Sequence, residues 1–412
     1  MKKENSRLFL LILLGMLTAF GPFVTDMYLP SLPSMSASFH TNTSMVQLGL
    51  TTSMLGLAFG QLCFGPLSDK YGRCTPLLVA MGLFILSTVL CIYAQTIGQF
   101  IALRFIQGIA GSGGIVISRS VATDKFTGRE LAKMLAVIGA INGIAPVTAP
   151  IIGGAVTDSI GWKGIFCLLL ILGFILLAGC IRLKESLNVE SRKEMNLVGM
   201  LRNFGVVLRN RRYLGYVLQL GFAQGILFAN ISSSPFIMQQ HYGLSPFMFS
   251  LCFGINSISI GTSAAFSVKF HRSENCTFTG CVGMLVVSLV EFAALCCNCG
   301  FWIYESLLLL LLFMMGMTFT SSTTLAMDCE RTNSGTASAL LGTICFMFGG
   351  FVSPLVSIGN ILTTTGAIFV ICSVCSLLSI DAVMPHPHLQ FFRFLNRGFV
   401  YIRATINNRH TF

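Results

Sequence analysis

An acidic residue lies where its neighbours predict hydrocarbon. Residues 8 to 29 form an apolar run whose single charge is that of Asp26, and about 20 such residues cross a bilayer. A charge at that depth costs about 2.5 to 3.5 kcal/mol, so it usually faces a partner or a wet cavity. Asp26 is therefore a candidate for proton exchange. The alternative is an acid that only caps a helix at the membrane surface, before Pro30 and after an expected helix break at Gly21 and Pro22.

A basic residue lies at a comparable depth in a second apolar run. Arg104 falls about six residues, roughly 9 Å, inside the outer edge of its predicted helix. The two residues would be able to pair. A guanidinium favours the carboxylate whereas burial favours the neutral acid, and the balance would decide whether Asp26 exchanges a proton. The alternative is a static ion pair with no part in transport.

A third deep charge has no base in its own run. Glu291 would serve as a second proton site, as a substrate contact or as a lipid-facing acid, and the sequence leaves all three open. The nearby Cys296, Cys297 and Cys299 lack a histidine or a second cysteine pair, so no metal site is predicted. Whether these thiols are reactive or form a disulfide is also open.

Membrane helices must position these residues. The 412-residue chain is 54% hydrophobic and only 10% charged, with a mean hydropathy of +0.79, against roughly 25% charged residues in soluble domains. Its apolar runs are too long for barrel strands. A net charge of +11 raises the possibility of nucleic-acid binding. Most of the lysines and arginines, however, lie in the connections between the apolar runs, and this distribution argues against nucleic-acid binding. The composition predicts an all-α integral membrane protein.

Polar residues, glycines and prolines divide the chain into apolar runs, and these runs predict twelve membrane-spanning helices. They lie near 8–29, 44–68, 75–94, 98–120, 134–157, 164–182, 213–238, 246–268, 277–297, 302–326, 335–358 and 361–384. If the connections alternate sides, all 26 lysines and arginines except Lys163 and Arg104 fall on one side. The positive-inside rule then places both termini in the cytoplasm.

A basic connection divides the spans into six and six. We predict an N-terminal six-helix half at 1–182, a basic cytoplasmic linker at 183–212, a C-terminal six-helix half at 213–384 and a basic amphipathic cytoplasmic tail at 385–412. Such a duplication is typical of transporters with a midplane site between the halves. A role of the linker at the lipid surface is compatible with this organisation.

The connection between the second and third spans carries a motif. The sequence GPLSDKYGR at 65–73 combines glycines suited to a tight turn with an acid beside two bases. It resembles the loop signature of the major facilitator superfamily, although Cys74 stands where a second base is common. The resemblance implies that these residues latch the outward-facing state. The latch would be made by Gly65, Asp69, Gly72, Arg73 and Asp124, and Arg119 is a further candidate base.

Two further motifs lie in the fourth and fifth spans. LRFIQG at 103–108 is similar to the family's second motif, whose buried arginine is tied to proton transfer. The fifth span has small residues and prolines at helical spacing, which predicts close packing and a kink. A plain close-packed helix is the alternative. The span resembles the antiporter motif of drug-exporting facilitators, and the matching residues are Gly139, Gly143, Pro146, Pro150, Gly153 and Gly154.

Three stretches narrow the resemblance to Bcr/CflA-type drug:proton antiporters: TDMYLPSLP at 25–33, GWKGIF at 161–166 and SGTASALLG at 334–342. The chain departs from that pattern at Asp328, where proline is common. The resemblance implies twelve helices in two six-helix halves, and proton coupling through Asp26 and Arg104. Polar and aromatic residues suited to a permissive substrate cavity are Tyr28, Gln61, Gln107, Gln224 and Phe228.

The expected function is export of amphiphilic drugs in exchange for protons by alternating access. The expected partners are the drug, protons and the lipid bilayer, with no nucleic acid. We expect a monomer in a bacterial inner membrane that uses the proton gradient and no cofactor or metal. No nucleophile, base or phosphate-binding constellation suggests an enzyme. The alternative is a proton-coupled uptake symporter of a small nutrient on the same fold.

Overall fold

The computed structural model describes residues 5–126, 128–187, 192, 204–267, 269–330 and 334–384. These residues form helices joined by short connections and contain no β-strand. The predicted tail at 385–412 and most of the predicted linker lie outside the described residues.

Six long helices form the first half of the molecule. They are α1 Arg7–Asp26, α2 Thr43–Tyr71, α3 Cys74–Tyr93, α4 Ile97–Lys125, α5 Gly128–Ile160 and α6 Trp162–Arg182. A 3-10 turn, Leu29–Ser31, and a short helix, Leu32–Ser38, join α1 to α2. Residues before several of these helices satisfy their first free N–H groups. Ser6 caps α1, Asn42 caps α2, and Thr96 with Gln99 forms a capping box at α4.

The second half repeats this arrangement. Its helices are α7 Arg211–Phe236, α8 Pro246–Ser267, α9 Ser273–Cys296, α10 Phe301–Cys329, α11 Ser334–Val352 and α12 Ile361–Asp381. A π-helical turn, Ile237–His241, extends α7. Among the described residues, eleven helices are long and apolar enough to cross a membrane, and α5 contributes the shorter apolar stretch Ile144–Ile160. The predicted all-α multi-pass fold class is confirmed.

Helix packing follows one pattern in both halves. In the first half α1 packs on α4 and α5, and α2 and α3 pack on α4. In the second half α7 packs on α10 and α11, and α8 and α9 pack on α10. Between the halves α2 contacts α11 and α5 contacts α8. Exchanging the halves converts one of these contacts into the other, so a pseudo-two-fold axis relates them.

The long helices define two ends of the bundle. The end that carries Arg7, Arg73, Lys125 and Arg182 is called the basic end, and the other is called the opposite end. Helices α4 and α10 have 29 residues each, about 43 Å, so they exceed a hydrocarbon core of about 30 Å. Their penultimate residues at the basic end are Asp124 and Asp328, a repeat that the sequence analysis missed.

Two expected chain breaks are absent. Helix α1 continues through Pro22 to Asp26, and α2 continues through Gly65 to Tyr71. A proline removes only one N–H from the helical ladder, and membrane helices tolerate this when neighbouring helices pack around it. The tight turn is therefore reduced to Gly72 and Arg73. Gly72 has φ +88°, which glycine adopts without strain, whereas Gly65 has no turn role.

Candidate functional site

A buried guanidinium caps the end of α1. Arg104 has no accessible surface, and its Nη2 donates a hydrogen bond of 2.9 Å to the Val24 carbonyl. That carbonyl is one of the last four of α1, which have no donor within the helix and lie at the negative end of its dipole. The centre of the guanidinium is also 4.3 Å from the centroid of the Tyr28 ring. Arg104 therefore fixes the helix turn that contains Asp26.

A buried polar network continues from this arginine into α3. Arg104 Nη1 donates to the Gln107 side-chain oxygen, and Gln107 Nε2 donates to Thr88 Oγ1 at 2.7 Å. Thr88 in turn donates to the Phe84 carbonyl at 2.7 Å. We predicted Gln107 and Tyr28 as cavity residues. Both have no accessible surface in this structure, and both amide groups of Gln107 are already in use.

Aromatic rings cover the network towards the opposite end. Phe166 lies 6.1 Å from Tyr28 and 5.5 Å from Phe100, and Trp162 lies 5.9 Å from both Phe100 and Phe166. Arg104 also lies 5.8 Å from the Phe166 ring. The rings exclude water from the guanidinium, and those of Tyr28 and Phe166 lie within cation–π distance of it.

Asp26 ends α1 beside this network. It is 7% exposed, and its Oδ1 accepts a hydrogen bond of 2.7 Å from Thr25 Oγ1. Asp26 and Arg104 lie at a similar depth, as expected, because Arg104 contacts the backbone of the helix turn that contains Asp26. The expected ion pair is not formed: the guanidinium is bound to the Val24 carbonyl and to Gln107 instead. Asp26 is buried among protein groups rather than facing lipid.

The glycines of α5 allow three helices to approach closely. A Cβ at Gly153 would overlap the Met27 carbonyl next to Asp26. A Cβ at Gly154 would overlap Ser250 Oγ on α8 and lie 2.9 Å from the Pro246 carbonyl. The predicted close packing of this motif is therefore seen at these two residues. Gly139 and Gly143 lie within α5, but the packing around them lies outside the described residues.

A proline of α5 supplies an acceptor to the other half. Pro150 has no N–H, so the Pro146 carbonyl one turn earlier lacks its helical donor. Ser257 Oγ of α8 donates to that carbonyl at 3.3 Å. Ser257 Oγ also lies 3.0 Å from the Phe253 carbonyl of its own helix, so a plain close-packed α5 stays an alternative.

Two hydrogen bonds join the halves at the opposite end. Gln47 Nε2 of α2 donates to the Ser232 carbonyl of α7 at 2.9 Å, and Gln47 has no accessible surface. Gln239 Nε2, just after α7, donates to the Pro30 carbonyl at 2.9 Å. The two halves therefore meet at the end where α1 finishes. The sequence analysis missed Gln47, Gln239 and Ser257, because nothing in the chain indicates which carbonyls they reach.

We expect Gly154→Ala to weaken this closed end. The added Cβ has to displace Ser250 and the backbone at Pro246, and overpacking of this kind costs about 1 to 3 kcal/mol. Hydrogen exchange should become roughly tenfold faster in the facing segments of α5 and α8. Gly261→Ala on α8, where the added Cβ meets nothing within 4 Å, is the matched control. Equal exchange rates in the two variants would contradict the proposed role of Gly154.

The predicted loop cluster assembles at the basic end. Arg73 lies 2.6 Å from Asp69 and 2.9 Å from Asp124, and its Nη1 donates to Ser68 Oγ at 2.8 Å. Arg119 is exposed and forms no ion pair within the described residues. These contacts lie wholly within the first half and coexist with the closed opposite end. By themselves they do not latch the halves, so the latch remains a prediction.

The start of the linker docks on this cluster. Glu185 accepts hydrogen bonds from the N–H groups of Arg73 at 2.8 Å and Cys74 at 3.1 Å, so its carboxylate occupies the N-terminus of α3. Ser186 Oγ donates to Asp124 at 2.8 Å. Burial alone would raise the pKa of Glu185, but the N–H groups of Arg73, Leu187, Cys74 and Ser186 outweigh it and hold the pKa below its usual value of 4.5.

Docking of the linker should therefore depend on pH. A lowered pKa in the folded protein stabilises docking above pH 4.5, and the contribution is lost as the pH falls through the lowered value. We expect the protection of the Arg73 and Cys74 amides against hydrogen exchange to fall in that acidic window. Glu185→Gln should lose protection already at neutral pH, whereas Glu130→Gln, an exposed acid at the same end, should not. Protection that stays constant with pH would contradict this account.

The other predicted cavity residues have neighbours different from those of Tyr28 and Gln107. Gln61 faces Gly342 of α11, Phe228 packs on Gly349 of α11, and Gln224 is half-buried on α7. A cavity of about 460 Å³ lies at the opposite end and another of about 400 Å³ at the basic end of the second half. None of the five predicted residues lines either cavity. The substrate position stays a prediction.

The remaining candidates from the sequence are resolved in part. Glu291 has no accessible surface, so its interpretation as a lipid-facing acid is wrong. Glu305 on α10 is also buried and was missed, although an acid four residues inside an apolar helix was a readable signal. All 15 cysteines are described and are free thiols, which answers the disulfide question for Cys296, Cys297 and Cys299. Within the described residues, no group of three or more possible ligands is placed to hold a metal.

Comparison with known proteins supports the resemblance found in the sequence. A family model described as the Major Facilitator Superfamily matches residues 11–354. The chain is 37% identical over 383 residues to an uncharacterised MFS-type transporter, YdgK, of Bacillus subtilis, with 91% of this chain and 95% of that protein covered. It is 29% identical over 395 residues to a bicyclomycin resistance protein homologue of Haemophilus influenzae, with 92% and 97% covered.

Solved structures share the fold. The xylose transporter XylE from E. coli, in a partially occluded inward open conformation, superposes with a TM-score of 0.72 at 13% identity, covering 92% of this chain and 98% of that one. Identity at this level speaks for the fold alone.

Proposed function

The chain belongs to the major facilitator superfamily and is a multi-pass membrane transporter, and from this premise we propose that it exports amphiphilic drugs in exchange for protons. One observation carries the proposal. Asp26, an acid inside the membrane-spanning region, ends a helix that Arg104 caps and that Gly153 packs against. Proton binding at Asp26 therefore acts at the point where α1 meets α5, the helix that contacts the second half.

The proposed cycle uses alternating access. In the arrangement with the opposite end closed, Asp26 gives up its proton to the basic end and the substrate loads. When the halves rock and the opposite end opens, a proton returns to Asp26 and the substrate leaves. The two halves, 1–182 and 213–384, move as units about the linker. The membrane potential supplies about 2.3 kcal/mol per charge per 100 mV, enough for useful accumulation.

The likeness to a bicyclomycin resistance protein homologue over nearly the whole chain supports drug export. We propose that the protein is a monomer in a bacterial inner membrane with the basic end and both termini in the cytoplasm, as the positive-inside rule requires. Its partners are the drug, protons and lipid, and the proton gradient takes the place of a cofactor. The fold shared with a xylose transporter does not by itself favour nutrient uptake, because the fold hosts both directions of transport.

Everted membrane vesicles test the direction of exchange. Respiration acidifies the vesicle interior, and ethidium is a suitable amphiphilic probe. An antiporter should dissipate the pH gradient when ethidium is added, whereas vesicles without the protein should not. A symporter would leave the gradient intact under these conditions, which would reject the proposal. A resistance profile across antibiotics and dyes in a host lacking its own exporters would then define the substrates.

A further inference from the structure

Two buried glutamates face each other in the second half and take no part in the proposed cycle. Glu291 on α9 has no accessible surface, and Glu305 on α10 is 6% exposed. Glu291 lies five residues before the end of α9, and Glu305 lies four residues after the start of α10. Both are therefore about 6 to 8 Å inside the opposite end.

Most of the surrounding polar groups lack partners among the described residues. Neither carboxyl oxygen of Glu291 has a hydrogen bond there, and neither does the Tyr304 hydroxyl, whereas the Asn256 side chain is a hydrogen-bonding neighbour of Glu305. Tyr304 has no accessible surface and Asn256 is 2% exposed. Asn256 faces Glu305 from α8. Buried polar groups usually have hydrogen-bond partners, so a cluster of them around two carboxyl groups calls for a functional explanation.

Apart from His241, which stacks on Tyr242, the titratable groups near the glutamates are carboxyls, phenols and thiols. Glu305 acts electrostatically on Glu291, and both act on Tyr304. Cys252 faces them from α8, Tyr242 from the end of α7 with His241 stacked beside it at 4.7 Å, and Cys299 from the turn between α9 and α10. Helix α12 brings Gly366 against Phe292. Within the described residues, neither glutamate forms an ion pair with a lysine or arginine.

Two negatively charged carboxylates would be unstable here, because they are buried without a lysine or arginine partner among the described residues. An ion without a counter-ion loses several kcal/mol of solvation on burial, and a second carboxylate nearby adds repulsion. Buried acids escape this penalty by taking up protons. A ligand larger than a proton would require the helices to separate, because Glu291 and Tyr304 have no accessible surface.

We propose that Glu291 and Glu305 form a second proton-binding site, located in the second half and occupied while the opposite end is closed. Each carboxylate takes one proton from water to form one O–H bond, and the reverse step returns the proton to water; no other reactant is needed. The protonated acids are then donors for the Asn256 side-chain oxygen and the Tyr304 hydroxyl. The pair titrates as a unit, so its two protons belong to both residues.

This site differs from Asp26 in its surroundings. Asp26 accepts a hydrogen bond from Thr25 and shares its helix turn with Arg104. The glutamates have neither a hydroxyl donor in place nor a base. The two sites therefore lie in different halves and bind their protons among different partners.

Infrared difference spectroscopy of the purified protein in lipid tests the site without drug or gradient. A protonated carboxyl has a C=O stretch that a carboxylate lacks. At neutral pH the wild-type protein should show this band, shifted in D2O, and Glu291→Gln and Glu305→Gln should each reduce it. Glu130→Gln, which removes an exposed acid paired with Arg7, should leave it unchanged. If one glutamine variant does not fold, the other variant and the D2O shift of the wild-type band still test the site.

Two results would overturn the site. One is a band absent from the wild type or unaffected by either glutamine variant. The other is a pair of carboxylate bands that move when Na⁺ or K⁺ is added, which would make the site a metal-cation site. Because the measurement needs no transport, it can fail while the vesicle assay succeeds, and the reverse is also possible.

Discussion

We expect Asp26→Asn to abolish proton-driven export. Each unit of pH difference supplies about 1.4 kcal/mol per proton, a factor of ten in accumulation. An amide at residue 26 keeps the size of the side chain and an oxygen for the 2.7 Å hydrogen bond from Thr25, but it cannot release a proton to make way for substrate. In everted vesicles, ethidium should no longer dissipate the pH gradient, and accumulation should fall to the level of vesicles lacking the protein.

Asp158→Asn is the control for this change. Asp158 lies exposed near the end of α5 at the same end of the bundle, so its neutralisation alters charge without touching the α1 turn. That variant should transport normally. If Asp26→Asn exported ethidium with unchanged coupling to protons, Asp26 would have no part in the mechanism, whatever the role of the two glutamates.

Arg104→Ala should unfold the protein more easily and also stop transport. The substitution leaves the Val24 carbonyl and the Gln107 oxygen without their donor and opens a cavity under the Tyr28 ring. Buried unpaired acceptors and a cavity together cost about 2 to 5 kcal/mol. Thermal unfolding in detergent should begin at a clearly lower temperature than in the wild type.

Arg104→Lys separates packing from chemistry. An ammonium retains the charge but lacks the planar fork that bridges α1 and Gln107. We expect partial recovery of stability, with the pH dependence of ethidium export displaced because the turn that holds Asp26 is less well fixed. Arg211→Ala, which removes an exposed base at the start of α7, should change neither property. A lysine variant with wild-type transport at every pH would limit Arg104 to a structural role.

The number of helices and the side on which each one ends can be predicted from the sequence, because the thickness of the bilayer fixes the length of the apolar runs. Apolar runs of fixed length predict the helices, and the distribution of lysine and arginine predicts which ends lie together. The shared depth of Asp26 and Arg104 follows from counting residues along two helices. The superfamily motifs added the loop cluster, in which Arg73 does meet Asp69 and Asp124.

Side-chain partners were less predictable. Arg104 prefers the free carbonyl of Val24 to the carboxylate two residues later, and no sequence pattern marks which of these acceptors its fork will reach. Gln107 looked like a cavity residue because it is polar in an apolar helix, yet that polarity serves Arg104 and Thr88. Glu305 was overlooked because acids near a helix start are usually at the surface.

The chemistry of the closed end has a consequence for its regulation. Of the three hydrogen bonds that described residues make between the halves, the two at this end join amide donors to the main-chain carbonyls of Ser232 and Pro30. None of these groups ionises in the physiological range, so neither ionic strength nor external acidity loosens the seal directly. A substitution cannot delete a main-chain acceptor either. A change of pH therefore acts on this end by way of titratable side chains nearby and not through these two hydrogen bonds.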